Sequence, residues 1–240
     1  MKILITSGGT REMIDGVRCI TNISTGKLAV KILEELVGQE KINNIRSDKR
    51  LERMEFIFIH TKGSAMPPST IIESYDIDIK YIEVTDTQSA MDAMEELVPT
   101  VDVVIHPMAV SDFAFAPIKT KLKSNDPEAF IESVKERIYR TPKILSHIKE
   151  WNPNCFLISF KFEDGVDHDE LIRIAFDSLL KNKSDIVIAN EKQEMNNLGI
   201  HRAYFVTQGS VTAPDVLMVD GKPNIANKIV EIVLSRLPQF

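Results

Sequence analysis

The alternation of apolar and polar positions along the chain predicts strands and helices in turn. Apolar runs of strand length cover residues 3–5, 55–60, 80–84, 101–106, 155–161, 185–189, 203–207 and 215–219. Between them, apolar residues recur at helical spacing over residues 27–38, 88–97, 142–150, 169–181 and 225–237. Because strands and helices alternate, the pattern predicts an α/β fold with a mostly parallel sheet and helices on both faces.

Two stretches interrupt this alternation. Residues 39–53 are polar and basic, which predicts the end of a helix followed by a surface connection. Residues 107–140 carry three prolines, many Lys and Asp residues and little periodicity. A segment of this length inside a compact domain is usually functional or part of an interface.

Candidate chemistry is concentrated in the first 26 residues. The first strand runs directly into Thr6-Ser7-Gly8-Gly9-Thr10, and a second polar turn, residues 21–26, opens the first helix. Backbone N–H groups at a strand end, beside a helix N-terminus, favour phosphate or carboxylate. Each turn is equally consistent with a plain connection. The chain has no G-x-G-x-x-G fingerprint and no Walker loop at this position.

Polar or small residues also follow three later strands. They are Met108 to Asp112, Phe160-Lys161 and Asn190-Glu191. Since ligands of open parallel sheets bind at the carboxyl ends of the strands, we expect these segments and the first glycine turn to converge on one cleft.

Composition narrows the function classes. Of the 240 residues, 43% are hydrophobic and 27% charged, and the formal net charge is −6, which argues against a general nucleic-acid binder. Cys19 and Cys155 stand in no metal-binding or disulfide pattern, so the reducing cytosol is the expected setting. No signal peptide and no membrane span are expected, because Met1 leads into a strand and no apolar run is long enough.

Several motifs occur in one order and together carry a family resemblance. They read TSGGTxExIDxVRxITNxSTG, HPMAVSDF, TPKIL, ISFKFE and DIVIAN. Over residues 1–207 the chain resembles the phosphopantothenate–cysteine ligases of the free-standing bacterial kind, without the decarboxylase half. The resemblance implies one domain over residues 1–240 with a Rossmann-like three-layer fold. It also implies a homodimer, with residues 107–140 as a protruding dimerisation arm and active-site lid.

The resemblance also implies a reaction. The carboxylate of 4′-phosphopantothenate attacks the α-phosphate of a nucleoside triphosphate, CTP in preference to ATP, and pyrophosphate leaves. The amine of L-cysteine then attacks the acyl-nucleotide and releases the nucleoside monophosphate. Mg²⁺ is the expected cofactor.

Three residues match the family's catalytic positions. Asn22 is expected to contact the acyl-nucleotide, Arg18 to grip phosphate or carboxylate, and Lys121 to neutralise charge on the phosphates. Lys119 and Lys123 compete with Lys121, because the last Lys of the family's K-x-K-K stretch is absent. From local sequence alone, a helix cap is the favoured role of Asn22, and a solvated basic loop is the commoner role for such a run of lysines.

Other residues are expected to bind the ligands. Backbone contacts are expected from the two turns, at Gly8, Gly9, Thr10, Ser24, Thr25 and Gly26. Nucleotide contacts are expected from Met108, Ala109, Asp112, Phe160, Lys161, Lys183 and Asn190. Phe160 would stack on the base, with core packing as its alternative role. Asp112 is also the candidate Mg²⁺ ligand.

Two other functions remain open. One is a Rossmann-like protein that binds a nucleotide without chemistry. The other is an NAD(P)-type oxidoreductase, which would need the glycine fingerprint and an acidic residue at the end of the second strand. That strand ends in His60-Thr61-Lys62 instead.

Overall fold

In the computed structural model, residues 1–45, 54–68, 79–118, 121–122, 125–210 and 213–236 are described. The strands in chain order are β1 (Lys2–Ser7), β2 (Arg11–Met13), β3 (Cys19–Thr21), β4 (Glu55–Thr61), β5 (Ile79–Val84), β6 (Val103–His106), β7 (Phe113–Phe115), β8 (Ile138–Arg140), β9 (Phe156–Glu163), β10 (Ile186–Glu191), β11 (Arg202–Gln208) and β12 (Pro214–Asp220). The α-helices are α1 (Lys27–Ile45), α2 (Thr87–Leu97), α3 (Pro127–Arg137), α4 (Ile144–Trp151), α5 (His168–Asn182), α6 (Lys192–Leu198) and α7 (Lys222–Leu234).

One eight-stranded sheet runs through the described chain in the order β12-β11-β10-β9-β6-β1-β4-β5. The six strands from β10 to β5 are parallel, whereas β11 and β12 add antiparallel neighbours at one edge. The prediction of a mostly parallel sheet is therefore confirmed. Strand order reverses between β1 and β6, because the chain moves outward through β4 and β5 and then returns to the other side of β1. A ligand crevice is expected at this reversal.

Alternating side chains of the sheet pack into two hydrophobic cores, one on each face of the sheet. In β1, Ile3 and Ile5 face α1 and α7, while Leu4 faces α2 and α4 on the other side. Helix α5 extends that second layer over β10 and β11. The three β1 side chains are fully buried, and burial of each contributes about 1.5–3 kcal/mol. Three layers result, as expected, and the carboxyl ends of the parallel strands share one edge.

The segment 107–140 contains more regular structure than its periodicity indicates. It includes the antiparallel ribbon β7–β8 and helix α3. A second antiparallel pair, the hairpin β2–β3, lies between the two polar turns of the first 26 residues. Both pairs have strands of only three residues, too short to show a period. Among the described residues, no helix is both long and apolar enough to cross a bilayer.

His106, at the end of β6, generates a pH prediction. It is 6% exposed and its Nδ1 lies 2.8 Å from Thr6 Oγ1. Burial lowers its pKa from 6.5 to about 4. Between these values the unfolded chain binds the extra proton, so the free energy of unfolding rises with pH by up to about 3 kcal/mol from pH 4 to 6.5.

Urea titrations across this pH range measure the effect. His106→Asn removes the rise, whereas replacement of the exposed His168 by Asn keeps it. A His106→Asn variant with the wild-type slope would show that other groups cause the pH dependence.

Candidate functional site

The crevice between β1 and β6 is built by backbone contact. Beyond the end of β1, Gly9 pairs with Ala109 as a parallel bridge. The Ala109 N–H donates to the Gly8 carbonyl at 2.9 Å, and the Thr10 N–H donates to the Ala109 carbonyl at 3.1 Å. The pairing therefore continues to Gly9, two residues past Ser7, and the predicted strand ends of β1 and β6 do meet.

Gly8 and Gly26 fit where a side chain would not. Both have positive φ, 87° and 72°. A Cβ on Gly8 would lie 2.0 Å from Thr61 Oγ1, and one on Gly26 would lie 2.4 Å from Ser7 Oγ. The turn after β4, residues 61–65, thus packs against both glycines. No motif in the sequence had indicated a role for this turn.

The second polar turn brings Asn22 to the same crevice. The exposed Asn22 side chain donates from Nδ2 to the Val110 carbonyl at 2.9 Å. A Cβ on Gly9 would lie 2.4 Å from the Asn22 carbonyl oxygen, so the two turns touch through backbone. Helix α1 begins at Lys27, five residues later, and the partial positive charge of its N-terminus lies at this edge. Ser24 is half-buried and Thr25 exposed.

A buried carboxylate anchors the β2–β3 hairpin to helix α2. Glu12 is 5% exposed, and its Oε1 accepts from the Thr87 N–H at 2.8 Å and the Thr87 hydroxyl at 2.6 Å. The Thr10 hydroxyl accepts from the Ser111 N–H at 2.9 Å. Thr10 is fully buried, so its side chain holds the fold and its expected ligand contact is limited to the backbone.

At the tip of the hairpin, Arg18 is already paired. Its Nη1 donates to Asp15 Oδ2 at 3.0 Å and to the Leu122 carbonyl at 3.3 Å. The Leu122 N–H donates to the same Asp15 oxygen at 3.1 Å, and the guanidinium lies over the Phe130 ring. Arg18 therefore holds the arm next to the exposed Lys121, a different contact from the expected grip on phosphate.

Asp112 is exposed and forms an ion pair with Lys143. Among the described residues, no group of three His, Cys, Asp or Glu side chains could hold a metal ion. A Mg²⁺ ion at Asp112 would thus have one protein carboxylate, and phosphate oxygens would supply most other ligands.

The remaining predicted residues divide by position. Met108 is buried, with 6% of its surface exposed, and its N–H donates to Thr6 Oγ1. This contact is structural. Phe160 lies one residue past the β9 position paired with His106 and packs partly against the core on the α1 face. Lys161 is paired with Glu163 at 2.9 Å.

Two predicted residues lie away from the crevice. Lys183 precedes β10 and lines a cavity with Phe156 and Arg236 at the amino ends of the strands, the opposite edge from Gly8. Because a helix separates the end of one parallel strand from the start of the next, residues before β10 cannot join the carboxyl edge. We therefore remove Lys183 from the candidate site.

Asn190 does lie at the carboxyl edge, but its amide turns inward. It is 8% exposed, and Nδ2 lies 3.1 Å from His201 Nε2. Strand β10 is also three strands from β1, about 14 Å at ordinary strand spacing. Backbone contact at the carboxyl edge therefore joins β1 and β6 directly, and Asn190 lies farther along the same edge with its amide next to His201. Lys119 and Lys123, the competitors of Lys121, lie outside the described residues.

Sequence reasoning missed Glu12, Asp15, Lys143 and the turn 61–65. Glu12 and Asp15 stand inside the first quoted motif, but no role was assigned to them. Their position in the sequence was the available signal. Two acidic residues, three positions apart, follow a glycine turn within a stretch that is otherwise expected to bind anions. Lys143 stands in the quoted TPKIL stretch, 31 residues from Asp112.

Together the fold and crevice define a doubly wound α/β protein, a class in which ligands bind at the strand reversal. The family described as the DNA/pantothenate metabolism flavoprotein C-terminal domain matches residues 1–45 and 68–237. The chain belongs to this family, and the family expected from the motifs is confirmed.

Relatives and solved structures agree with this assignment. The chain is 34% identical over 192 residues to the Coenzyme A biosynthesis bifunctional protein CoaBC of Thermococcus kodakarensis, covering 79% of the chain and 41% of that protein. It is 27% identical over 237 residues to the protein of the same name from Methanocaldococcus jannaschii, covering 97% and 50%. The chain thus spans about half the length of these curated relatives. The crystal structure of the DNA/Pantothenate Metabolism Flavoprotein from Streptococcus pneumoniae matches with a TM-score of 0.74 and 32% identity, covering 98% and 99%.

The contact between Gly9 and Asn22 gives a stability prediction. Gly9→Ala places a methyl against a backbone carbonyl, so we expect the free energy of unfolding to fall by about 1–3 kcal/mol. Gly38→Ala is the control, because its Cβ meets nothing within 4 Å in helix α1; it should stabilise by about 0.5–1 kcal/mol. Chemical denaturation measures both. Wild-type stability of Gly9→Ala would contradict the backbone contact.

Proposed function

We propose that the chain is a phosphopantothenate–cysteine ligase domain. It joins 4′-phosphopantothenate to L-cysteine and cleaves a nucleoside triphosphate, CTP in preference to ATP, to monophosphate and pyrophosphate. The observation that carries this proposal is the β2–β3 hairpin: it starts at the Gly8–Gly9 crevice, ends at Asn22, and holds the backbone beside Lys121 at its tip.

In this proposal, the hairpin supports an amide, that of Asn22, and an ammonium, that of Lys121, which act on one ligand. Arg18, which contacts the arm, is four positions before Asn22, a span of about 13 Å in an extended strand. The flexible stem of Lys121 covers part of this distance. An extended substrate with a phosphate at one end and a carboxylate at the other suits such a crevice.

The chemistry has two steps. First, the pantothenate carboxylate forms a bond to the α-phosphorus and pyrophosphate leaves with the bonding pair. The Lys121 ammonium and the backbone N–H groups near Gly8 offset the charge on the phosphates. Second, the cysteine amine forms the C–N bond, and the nucleoside monophosphate leaves. The Asn22 amide donates to the acyl-nucleotide without adding charge.

Mg²⁺ would supply charge neutralisation on the triphosphate. Asp112 is the carboxylate in position to contribute one ligand, with its present partner Lys143 displaced. Such sparse protein ligation is usual for Mg²⁺ that arrives with a nucleotide. We place the activity in the reducing cytosol, which suits two free cysteines.

A homodimer is part of the proposal. Four large apolar side chains of the segment 107–140 are exposed: Phe113 at 46%, Ile131 at 62%, Ile138 at 44% and Tyr139 at 52%. They lie on the β7–β8 ribbon and helix α3, and such a group of exposed apolar residues is typical of an interface. A twofold contact through this segment would pair two arms.

Pyrophosphate release tests the function. With 4′-phosphopantothenate and CTP the wild type should release pyrophosphate, and added L-cysteine should yield CMP and the coupled product. Asn22→Ala and Lys121→Ala should each lower turnover by at least about 100-fold, with nucleotide binding kept in calorimetry. Asn224→Ala and Lys228→Ala, on the surface of α7, are matched controls with wild-type turnover.

Other outcomes separate the rival functions. Nucleotide binding without pyrophosphate release would indicate a non-catalytic binding protein. Hydride transfer with NAD(P)H would indicate an oxidoreductase. Release with ATP alone would reverse the CTP preference and retain the ligase.

The dimer is tested with charged substitutions. Ile138→Asp with Tyr139→Asp should convert a dimer to a monomer, because two carboxylates would be buried without partners. Light scattering after gel filtration measures the mass. Leu217→Asp, on the exposed edge strand β12, is the control and should leave the mass unchanged. A monomeric wild type would overturn this part of the proposal.

A further inference from the structure

The tip of the β2–β3 hairpin carries a buried carboxylate that the reaction above does not use. We propose that Asp15 is a positioning residue for the ligase reaction: it tethers the backbone beside Lys121, so that the ammonium is presented to the crevice. This inference rests on the proposed function and adds a residue through which the catalytic lysine is held.

The Asp15 side chain is completely buried, and its two oxygens have different partners. Oδ1 accepts from the N–H groups of Val17 and Arg18, each at 2.9 Å, and so fixes the turn of the hairpin. Oδ2 accepts from the Arg18 guanidinium at 3.0 Å and from the Leu122 N–H at 3.1 Å. One oxygen thus closes the turn, and the other binds a segment 107 residues away.

The arm is held through its main chain. The Leu122 N–H binds Asp15, and the Leu122 carbonyl accepts from Arg18 Nη1 at 3.3 Å. Both polar groups of one residue are therefore fixed to the hairpin. Lys121 immediately precedes Leu122, and their Cα atoms are about 3.8 Å apart. The tether therefore fixes the backbone from which the Lys121 side chain extends, while the side chain itself stays exposed.

A turn needs no such arrangement. An Asp that only closes a turn normally lies in solvent, where its charged carboxylate loses no hydration free energy. A buried carboxylate is stable only when every lone pair has a donor. The N–H of Val17, chief among these donors, holds the pKa of Asp15 below its usual value against the opposing effect of burial. The carboxylate is therefore ionised at neutral pH, and the Leu122 N–H is one of the contacts that stabilise it.

Helix α3 strengthens the same junction. The Arg18 guanidinium lies 5.2 Å from the centroid of the Phe130 ring. Arg137 donates from Nη1 to the Ile14 carbonyl at 2.9 Å and to the Ala116 carbonyl at 2.8 Å. The arm thus contacts the hairpin on both sides of Asp15. The backbone at Lys121 is therefore fixed to the same hairpin that ends at Asn22.

Steady-state kinetics tests the inference. Asp15→Asn keeps the shape but cannot accept from all four donors, so we expect kcat for pyrophosphate release to fall by about tenfold or more. KM for CTP and 4′-phosphopantothenate should stay within about threefold, because the loss is in placement of a catalytic group. In the Lys121→Ala background, Asp15→Asn should add no further loss, since it acts through Lys121. A full additional loss there would overturn the inference.

Two further variants separate placement from folding. Asp167→Asn removes a carboxylate that caps helix α5 through the Glu170 N–H at 2.9 Å, and it should lower the melting temperature without changing kcat. Leu122→Pro removes the tethered N–H while leaving the hairpin sequence intact. It should lower kcat as Asp15→Asn does, and it tests the tether independently if Asp15→Asn does not fold. Unchanged kcat in Leu122→Pro would overturn the inference.

A spectroscopic measurement distinguishes this inference from the proposed function. In a Cys19→Ser, Lys121→Cys background a nitroxide label attaches at position 121, because Cys155 is buried. Asp15→Asn should shift its electron paramagnetic resonance spectrum toward the mobile limit, whereas Asp167→Asn should not. An unchanged spectrum overturns the tether. A shift toward the mobile limit on Asp15→Asn, combined with a wild type that releases no pyrophosphate, would instead support the tether and refute the ligase.

Discussion

The close approach of three backbone segments at the end of β1 is the constraint on which the site depends. Gly9 has Ala109 as its ladder partner on one side and the Asn22 carbonyl on the other. A side chain at Gly9 would separate them, and the crevice would lose both its floor and the residue expected to contact the acyl-nucleotide. Glycine is therefore required here by contact, at ordinary φ, whereas Gly8 and Gly26 are also required by backbone conformation.

The hairpin β2–β3 transmits this constraint to the rest of the site. Two buried acids fix it at separate points: Glu12 binds the start of helix α2, and Asp15 binds the arm. Each carboxylate meets backbone N–H groups, which do not depend on the identity of the partner's side chain. The hairpin is thereby held between the sheet and the segment 107–140, although it belongs to neither core.

The sheet could be predicted because its strands are buried on both faces and read as apolar runs. The same reasoning failed for residues 107–140, where β8 and α3 contain no buried residue and β7 has only three residues. For the site, strand polarity correctly predicted that Gly8 and Ala109 meet. It was not applied to Lys183, which lies before its strand and hence at the other edge.

Local pattern and chemistry thus sufficed for the α/β class, the glycine turns at the end of β1 and the family. These features depend on residues close together in sequence, where burial produces apolar runs and a need for backbone freedom produces glycines. The partners of Arg18, the inward amide of Asn190 and the tether from Asp15 to Leu122 required the folded chain. Each is a hydrogen bond between groups far apart in sequence or a choice among several nearby partners, and one-dimensional spacing carries no information about which donor reaches which acceptor.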